Sequence, residues 1–419
     1  MIPEADRKRV ESYVLAHLDG VLKKPRGFIR YPFIDPGSVY DGNVWDWDTY
    51  WSVYGLLSLA DRMPPETLGR VLEHARGNVR NFLDHQMADG YIPMMIEVGK
   101  WPEPYLILER KKGVKMNMHK PFLCGQICLI SRFDGDWSWA AGFEEGLRRY
   151  FDLYDREFFQ ERSGLYYWED DIMIGMDNDP ASFGRPKAST ANIFLNSFMA
   201  EELRCMAEYL TALGKPEEAE RWLAKRERLI GAIRAECWDP RDEFFYSVDI
   251  DVKTRPHDWI HQGLGAFWRT LPIRIRTWSG FIPMWAGFAT EAEAEALTAE
   301  MFDPRSFDAP YGICTLAKNE KMFSLEATIN PSNWLGPVWL VANYVAFRGL
   351  LNYGKRAEAE EICRRSLALL ARDLEKIGCL HEYYNPFTGE PIMNGGFINW
   401  NILALTMARE LEQDGENSR

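Results

Sequence analysis

Two kinds of helical segment alternate six times along the chain, and this alternation limits the fold more than any other feature. One kind is amphipathic, with charged residues on one face and aliphatic residues on the other, as in PETLGRVLEHARGNVRNFLDH. The other kind has few charges and many small or aromatic residues, as in NWLGPVWLVANYVAF, which is typical of a helix buried on all sides. The amphipathic segments begin near residues 4, 65, 138, 215, 290 and 355, and the apolar segments near Asp48, Pro121, Asn192, Gly280, Asn333 and Ile398.

The alternation predicts a mainly α fold in which six apolar helices form an inner ring and six amphipathic helices wrap around it. An outer helix, a loop and an inner helix recur at roughly 55 to 85 residues, as expected of a supersecondary unit repeated around a ring. Strand-like alternation of polar and apolar residues is rare. We therefore predict a single (α/α)6 barrel, a six-hairpin toroid, as one catalytic domain over residues 1–419.

Charge and composition exclude several classes of partner. A net charge of -13 opposes nucleic-acid binding, and no basic stripe offsets it. No apolar run reaches the about 18 residues of a membrane-spanning helix. The N-terminal stretch MIPEADRKRVESYVLAHL lacks the pattern of a signal peptide, and seven scattered cysteines favour reduced thiols. We therefore expect a soluble cytoplasmic protein with neither a nucleic-acid nor a membrane partner.

The loops that lead into the inner helices, called mouth loops below, are long and rich in Trp, Gly, Asp, Asn and Pro. The opposite turns, such as LGKPEEAE, are short, so chemistry is expected at the mouth loops. Acidic residues concentrate in three of them: VYDGNVWDWDTYW, YWEDDIMIGMDNDP and CLHEYYNPFTGEP.

Asp177 and Glu382 differ from the other acids in these loops because apolar and aromatic neighbours bracket them. This setting predicts partial desolvation and a raised carboxyl pKa. Their loops lead into the third and sixth inner helices, which face each other in a six-membered ring. Opposed carboxyls suit glycoside hydrolysis, with inversion at a separation of about 6.5 to 9.5 Å. The alternative is that both acids only cap helices.

Four motifs carry a resemblance to a known family. WDWDTYW, GMDNDP, NWLGPVWLVANY and HEYYNPFTGEP resemble, in order and spacing, the (α/α)6 glycosidases that include trehalase, most closely glycoside hydrolase family 63. The resemblance covers about residues 28 to 405 and implies inversion at an α-linked glucose or mannose. By motif match it implies that Asp177 is the general acid and Glu382 the general base. A bare barrel, without the β-sandwich domain of larger members, resembles the mannosylglycerate and glucosylglycerate hydrolases.

The other candidate site residues lie in or near the mouth loops. We predict that Asp48 accepts hydrogen bonds from sugar hydroxyls, and that Trp45 or Trp47 stacks on the sugar while the other packs in the core. Trp334 is predicted as a wall of the pocket and Trp339 as core. For the acidic end of a glycerate substrate, where a carboxylate would pair with a cation, the candidates are Tyr91, His119, Gln126, Arg185 and Lys187.

Neither a cofactor nor a metal is predicted. Cys124 and Cys128 with His119 could suggest zinc, but on a helix that enters the barrel wall they are more typical of buried residues. His257 and His261 have the i, i+4 spacing of half a zinc site without its acidic partner.

Three other functions stay open at this point. One is a neutral α-disaccharide hydrolase of the trehalase or α-glucosidase type. Another is a sugar 2-epimerase, which would need paired histidines such as His119 and His381 at the pocket. The third is a non-catalytic carbohydrate-binding protein. The expected partner is a small sugar substrate with an acidic aglycone, and homo-oligomerisation stays open.

Overall fold

A computed structural model describes residues 3–99, 101–252, 268–326 and 332–417, with the side chains of 415–417 left out. His257 and His261 therefore lie outside the described residues. Thirteen α-helices occur within the described part of the chain: α1 (Glu4–Val21), α2 (Asp46–Ser58), α3 (Pro65–Asp84), α4 (Tyr105–Lys111), α5 (Leu123–Asp134), α6 (Glu144–Glu157), α7 (Ile193–Ala212), α8 (Pro216–Cys237), α9 (Ile282–Trp285), α10 (Glu291–Met301), α11 (Leu340–Asn352), α12 (Arg356–Lys376) and α13 (Leu403–Asn417).

Six of these helices form a closed inner ring. Helices α2, α5, α7, α9, α11 and α13 contact one another in that order, and α13 contacts α2 to close the ring. Almost every residue of α2 and α11 is buried, as their apolar sequences predict. Helices α1, α3, α6, α8, α10 and α12 alternate with them along the chain and each keeps exposed charged residues. The architecture is the predicted (α/α)6 barrel.

The strands are short and sit in the connections between helices. They form antiparallel pairs of two or three residues and one three-stranded sheet. Their bounds are Leu22–Lys23, Phe33–Ile34, Val44–Trp45, Met95–Ile96, Phe159–Gln160, Leu165–Tyr166, Thr190–Ala191, Trp238–Asp239, Phe244–Phe245, Val248–Asp249, Leu271–Pro272, Asp308–Ala309, Gly312–Ile313, Tyr383–Tyr384 and Pro391–Met393. The last pair is a hairpin that follows directly on Glu382, so the carboxylate is attached to a hydrogen-bonded element.

A buried carboxylate ties two inner helices together. Glu202 on α7 accepts hydrogen bonds from the backbone N–H groups of Cys124 (2.6 Å) and Gly125 (2.9 Å) in the first turn of α5. These N–H groups have no partner within their own helix, so the carboxylate acts as a cap from the neighbouring helix. Burial raises the pKa of Glu202 to about 8, although the backbone hydrogen bonds act in the opposite direction.

The fifth inner helix begins later than the sequence pattern predicts. The apolar pattern starts near Asn333, whereas α11 starts at Leu340. Gly336 has a φ of 135°, and a Cβ there would lie 2.4 Å from the ring of Phe323. Pro337 follows, and a residue before proline is disfavoured in helical conformation. The stretch up to Trp339 is therefore part of the mouth loop. Trp334 and Trp339 lie in this loop and not within the helix, where the apolar pattern had placed them.

Candidate active site

The mouth loops enclose a cavity of about 400 Å³, a size that suits a small-molecule ligand. It brings together five of the residues predicted from the sequence, although they are spread over more than 330 positions: Trp45, Trp47, Asp48, Asp177 and Glu382. The other lining residues are Tyr40, Lys120, Asp171, Ile172, Met173, Gly175, Phe183, Ser332, Trp339 and Trp400.

Glu382 presents a buried carboxylate to this cavity, and both of its oxygens accept hydrogen bonds. The hydroxyl of Tyr40 donates to Oε1 over 2.9 Å, and the amide of Asn394 donates to Oε2. Burial raises the pKa of Glu382 to about 7; the two hydrogen bonds lower it, and the negative charge of Asp177 raises it. A carboxylate with a pKa near neutrality is suited to accept a proton from water.

Asp177 lines the same cavity from the loop between Trp168 and Thr190, called the acid loop below. The residue that follows it, Asn178, is fixed to the mouth loop of α11. Its Oδ1 accepts from the backbone N–H of Trp334 over 2.6 Å, and its amide donates to Oδ1 of Asn333 over 3.0 Å. Asp177 and Glu382 line one cavity, and the negative charge of Asp177 acts to raise the pKa of Glu382.

The chain must approach Trp47 closely just before Asp177. Gly175 has a φ of 92°, and a Cβ at this position would lie 2.9 Å from the Trp47 ring. Only glycine adopts this conformation without strain, so the glycine of GMDN has a steric role next to the acid.

Asp48 also lines the cavity and belongs to the first turn of α2. Its Oδ1 accepts from the amide of Asn399 over 2.6 Å, and Oδ1 of Asn399 accepts from Ser52 over 2.7 Å. Burial raises the pKa of Asp48 well above its usual range, and the charge of Lys120 acts in the opposite direction.

Lys120 is a lining residue that the sequence analysis missed. Its Nζ lies 2.7 Å from Oδ1 of Asp46, and both side chains are buried. A lysine is rarely buried unless it is paired, so its position between His119 and Pro121 in an apolar stretch was the available signal. Tyr40, Asn394 and Asn399 were also missed.

Both tryptophans of NWLGPVW are buried in the core, which agrees with the prediction for Trp339 and not with the prediction of Trp334 as a wall of the pocket. Trp339 lines the cavity, whereas Trp334 lies behind it, and the two rings stack at a centroid distance of 3.9 Å. The reason is the late start of α11, which leaves Trp339 at the last position of the mouth loop. Tyr383 stacks on Trp339 at 4.6 Å and extends this aromatic wall toward Glu382.

Trp45 and Trp47 both line the cavity. Trp47 is also a core residue, since its ring contacts Phe194, Trp334 and Trp400 at centroid distances of 5.7, 5.7 and 5.3 Å. Trp45 is only partly buried, so its ring is the more accessible of the two from the cavity.

Three predicted binding residues are buried behind the cavity and do not line it. The hydroxyl of Tyr91 donates to the carbonyl of Asn117 over 3.3 Å, and Oε1 of Gln126 accepts from Thr49 over 3.3 Å. His119 lies with Nδ1 2.6 Å from the carbonyl of Lys120, and burial lowers its pKa to about 4. These residues support the walls.

Arg185 and Lys187 also lie outside the lining. Arg185 forms an ion pair with Asp249 and donates to Oγ1 of Thr190 over 3.0 Å. Lys187 lies 3.3 Å from Asp170, and its side chain is 64% exposed. Both cations pair with acidic side chains and neither lines the cavity. They therefore do not form the predicted binding site for the carboxylate of the substrate at this cavity.

Other sequence expectations concern metals, thiols and membranes. All seven cysteines lie in the described residues and none is in a disulfide. Within the described part of the chain, no three histidine, cysteine or acidic side chains are grouped as metal ligands. Nor does any described helix have the length and apolar character needed to cross a bilayer.

The two histidines that an epimerase would need do not meet at the cavity. His381, whose Nδ1 lies 2.8 Å from Asp373, does not line the cavity, and neither does His119.

An (α/α)6 barrel with carboxylates and tryptophans around one cavity has the features expected of a glycoside hydrolase. Residues 41–400 match the family model described as the mannosylglycerate hydrolase MGH1-like glycoside hydrolase domain. The chain belongs to this family.

Comparisons with individual proteins agree with this assignment. The chain is 27% identical over 202 residues to a mannosylglycerate hydrolase of Thermus thermophilus, covering 46% of this chain and 39% of the relative. It is 23% identical over 283 residues to a probable mannosyl-oligosaccharide glucosidase of Schizosaccharomyces pombe, covering 64% of this chain and 33% of the relative. The chain thus spans between a third and two fifths of the length of these relatives.

Solved structures support the fold. The crystal structure of a family 63 mannosylglycerate hydrolase from Thermus thermophilus, in complex with glucose, matches with a TM-score of 0.68 at 19% identity. The match covers 96% of this chain and 98% of that chain. At this identity the likeness concerns the (α/α)6 barrel as a whole.

Proposed function

We propose that the protein hydrolyses a small α-glucoside or α-mannoside with inversion, with Asp177 as general acid and Glu382 as general base. The observation that carries this proposal is the pair of carboxylates in one cavity, with the charge of Asp177 acting on Glu382. Glu382 accepts a proton from a water molecule whose oxygen attacks the anomeric carbon. The bond from that carbon to the aglycone oxygen breaks, and Asp177 gives its proton to this oxygen. The products are a sugar of opposite anomeric configuration and a free alcohol.

The floor and walls of the cavity suit a single sugar ring. Asp48 offers a carboxylate oxygen to sugar hydroxyls and is itself held by Asn399. Trp45, which is only partly buried, offers an aromatic face to the C–H groups of the ring, and Trp339 and Trp400 border the cavity with buried rings. The volume of about 400 Å³ favours a short substrate over an oligosaccharide.

For the aglycone we propose an acid, as in mannosylglycerate or glucosylglycerate. The family and the Thermus relative, whose name states that it acts on mannosylglycerate, support this choice. A neutral α-disaccharide is the second candidate, and one observation favours it. The described lining carries four acidic side chains, Asp48, Asp171, Asp177 and Glu382, and one lysine, Lys120, which is paired with Asp46. An acidic lining of this kind disfavours binding of a negatively charged aglycone unless a cation compensates for the charge.

A substrate panel separates the two aglycones. We expect kcat/KM for mannosylglycerate or glucosylglycerate to exceed that for the matching neutral glyceramide glycoside at least about tenfold, because a site that selects the acid must hold its carboxylate by at least one charge-assisted hydrogen bond, which contributes about 1.5 to 3 kcal/mol. The measurement is release of glucose or mannose from both glycosides and from trehalose. Arg185→Ala is the matched control: it removes a cation outside the lining and is expected to leave KM unchanged. A glyceramide glycoside or trehalose that is hydrolysed equally well would select the neutral candidate.

The pH dependence tests the environment of Glu382. A base must be ionised, so kcat/KM is expected to fall as the pH drops through about 7, where Glu382 takes up a proton. Tyr40→Phe removes a hydrogen bond that favours the ionised form. The midpoint should therefore move to higher pH, by about one unit for one hydrogen bond to a charged group. Tyr31→Phe, outside the lining, is the control. An unchanged midpoint, or one at lower pH, would contradict this role of Tyr40.

A further inference from the structure

Asn117 uses its whole side-chain amide on the first part of the acid loop. Nδ2 donates to the carbonyl oxygens of Asp170 (2.9 Å) and Ile172 (3.0 Å) and to Oδ1 of Asp170 (3.2 Å). Oδ1 accepts from the backbone N–H of Glu169 over 2.8 Å. The side chain is buried, with 2% of the residue exposed. Buried hydrogen bonds of this kind fix a backbone that has no regular secondary structure of its own.

Lys120 also holds the acid loop, at Met173, the residue that follows those held by Asn117. Its Nζ donates to the carbonyl oxygen of Met173 over 3.2 Å, and Met173 has a positive φ of 55°. The backbone N–H of Lys120 donates to Oδ2 of Asp46 over 2.7 Å. The segment 117–120 therefore connects the acid loop to the first turn of α2, next to Asp48.

Two lining residues of the acid loop are largely exposed, whereas Ile174 and Met176, close to Asp177, are buried. Ile172 and Phe183 are 62% and 55% exposed although both line the cavity. Asn178 fixes the loop after Asp177, whereas the contacts of Asn117 and Lys120 fix it before Asp177. A catalytic group must be held to within about 0.5 Å of its productive position.

We propose that Asn117 is a positioning residue for the general acid. It holds residues 169–172 against the barrel wall so that Asp177 meets the aglycone oxygen. This inference rests on the proposed role of Asp177. It predicts a selective loss of proton donation, which a merely structural role of Asn117 would not produce.

The test compares two leaving groups. One substrate is the O-glycoside that the wild type hydrolyses fastest, and the other is the α-fluoride of the same sugar, which departs with little help from an acid. We expect Asn117→Ala to lower kcat for the O-glycoside about thirtyfold or more and kcat for the fluoride less than about threefold, since misplacement by about 1 Å costs up to about a hundredfold. KM should change little.

Asn81→Ala is the matched control. Asn81 is a fully buried asparagine that also holds a loop, through the backbones of Arg30 (2.9 Å) and Tyr31 (3.0 and 3.1 Å), but away from the cavity. It should cost comparable stability and leave the ratio of the two rates unchanged. Asp177→Asn is the reference and should change the ratio at least as much as Asn117→Ala.

The outcomes are distinct. If Asn117→Ala lowers both rates by the same factor, the positioning role is wrong. If it fails to fold, Asn117→Ser, which is neutral and polar but lacks the amide donors, gives the same comparison. If Asp177→Asn itself leaves the ratio unchanged, the proposed role of Asp177 is wrong, and the role of Asn117 is wrong with it.

Discussion

Replacing Glu382 by Gln, or Asp177 by Asn, is expected to lower kcat at least about a hundredfold, because general acid-base catalysis contributes about 10² to 10⁴. Each substitution keeps the size of the side chain and removes its ability to exchange a proton at neutral pH. Tyr40 can still donate to the remaining oxygen at position 382, so the fold should stay intact. The measurement is steady-state hydrolysis of the best O-glycoside, with the unfolding midpoint as a check on folding.

The two variants should differ in their dependence on the leaving group. Activation of water is needed for every substrate, so Glu382→Gln should also lose activity toward the glycosyl fluoride. Proton donation is needed mainly for the O-glycoside, so Asp177→Asn should lose much less on the fluoride. Glu390→Gln is the control: it lies in the same loop as Glu382 but is exposed and paired with Lys376 at 2.8 Å and Arg372 at 3.0 Å. Near-normal activity in either of the first two variants would remove that residue from its proposed role.

The barrel was predictable because helical periodicity is a local property of the sequence. Outer helices α3, α8 and α12 begin at residues 65, 216 and 356, within about one residue of the expected starts. The start of helix α11 could not be predicted in the same way, because Gly336 and Pro337 interrupt an apolar pattern that otherwise continues through Trp334 and Trp339. The single domain over residues 1–419, the cytoplasmic location and any homo-oligomer stay predictions.

That Asp177 and Glu382 would line one cavity was predictable because long loops at one end of a barrel converge on its mouth; their catalytic roles stay predictions. Their partners could not be predicted, because they come from distant parts of the chain. Tyr40 bonds to Glu382 across 342 positions, and Asn399 to Asp48 across 351. The sequence prediction that Arg185 and Lys187 bind the substrate carboxylate was wrong because both cations pair with acids of the protein. These partners, Asp249 and Asp170, are recognisable only from the folded chain.

The two possible roles of Glu382, as base or as nucleophile, predict different anomers of the released sugar. If water activated by Glu382 attacks the anomeric carbon directly, attack comes from the face opposite to the aglycone, and an α-glycoside must first give the β-anomer. If Glu382 instead attacked the carbon itself, two displacements would return the α-anomer. The outcome is all-or-none for the first turnovers, before mutarotation mixes the anomers, so it does not depend on small differences in rate.

Proton NMR of the sugar released in the first minutes of hydrolysis is therefore the most direct test of the central claim, that Asp177 and Glu382 carry out a single inverting displacement. With an α-glucoside or α-mannoside as substrate, the anomeric signal of the β-sugar should appear first, and the α signal should grow only at the rate of mutarotation. Initial appearance of the α-anomer would contradict the claim, because it would require a covalent intermediate and a nucleophile in place of a base.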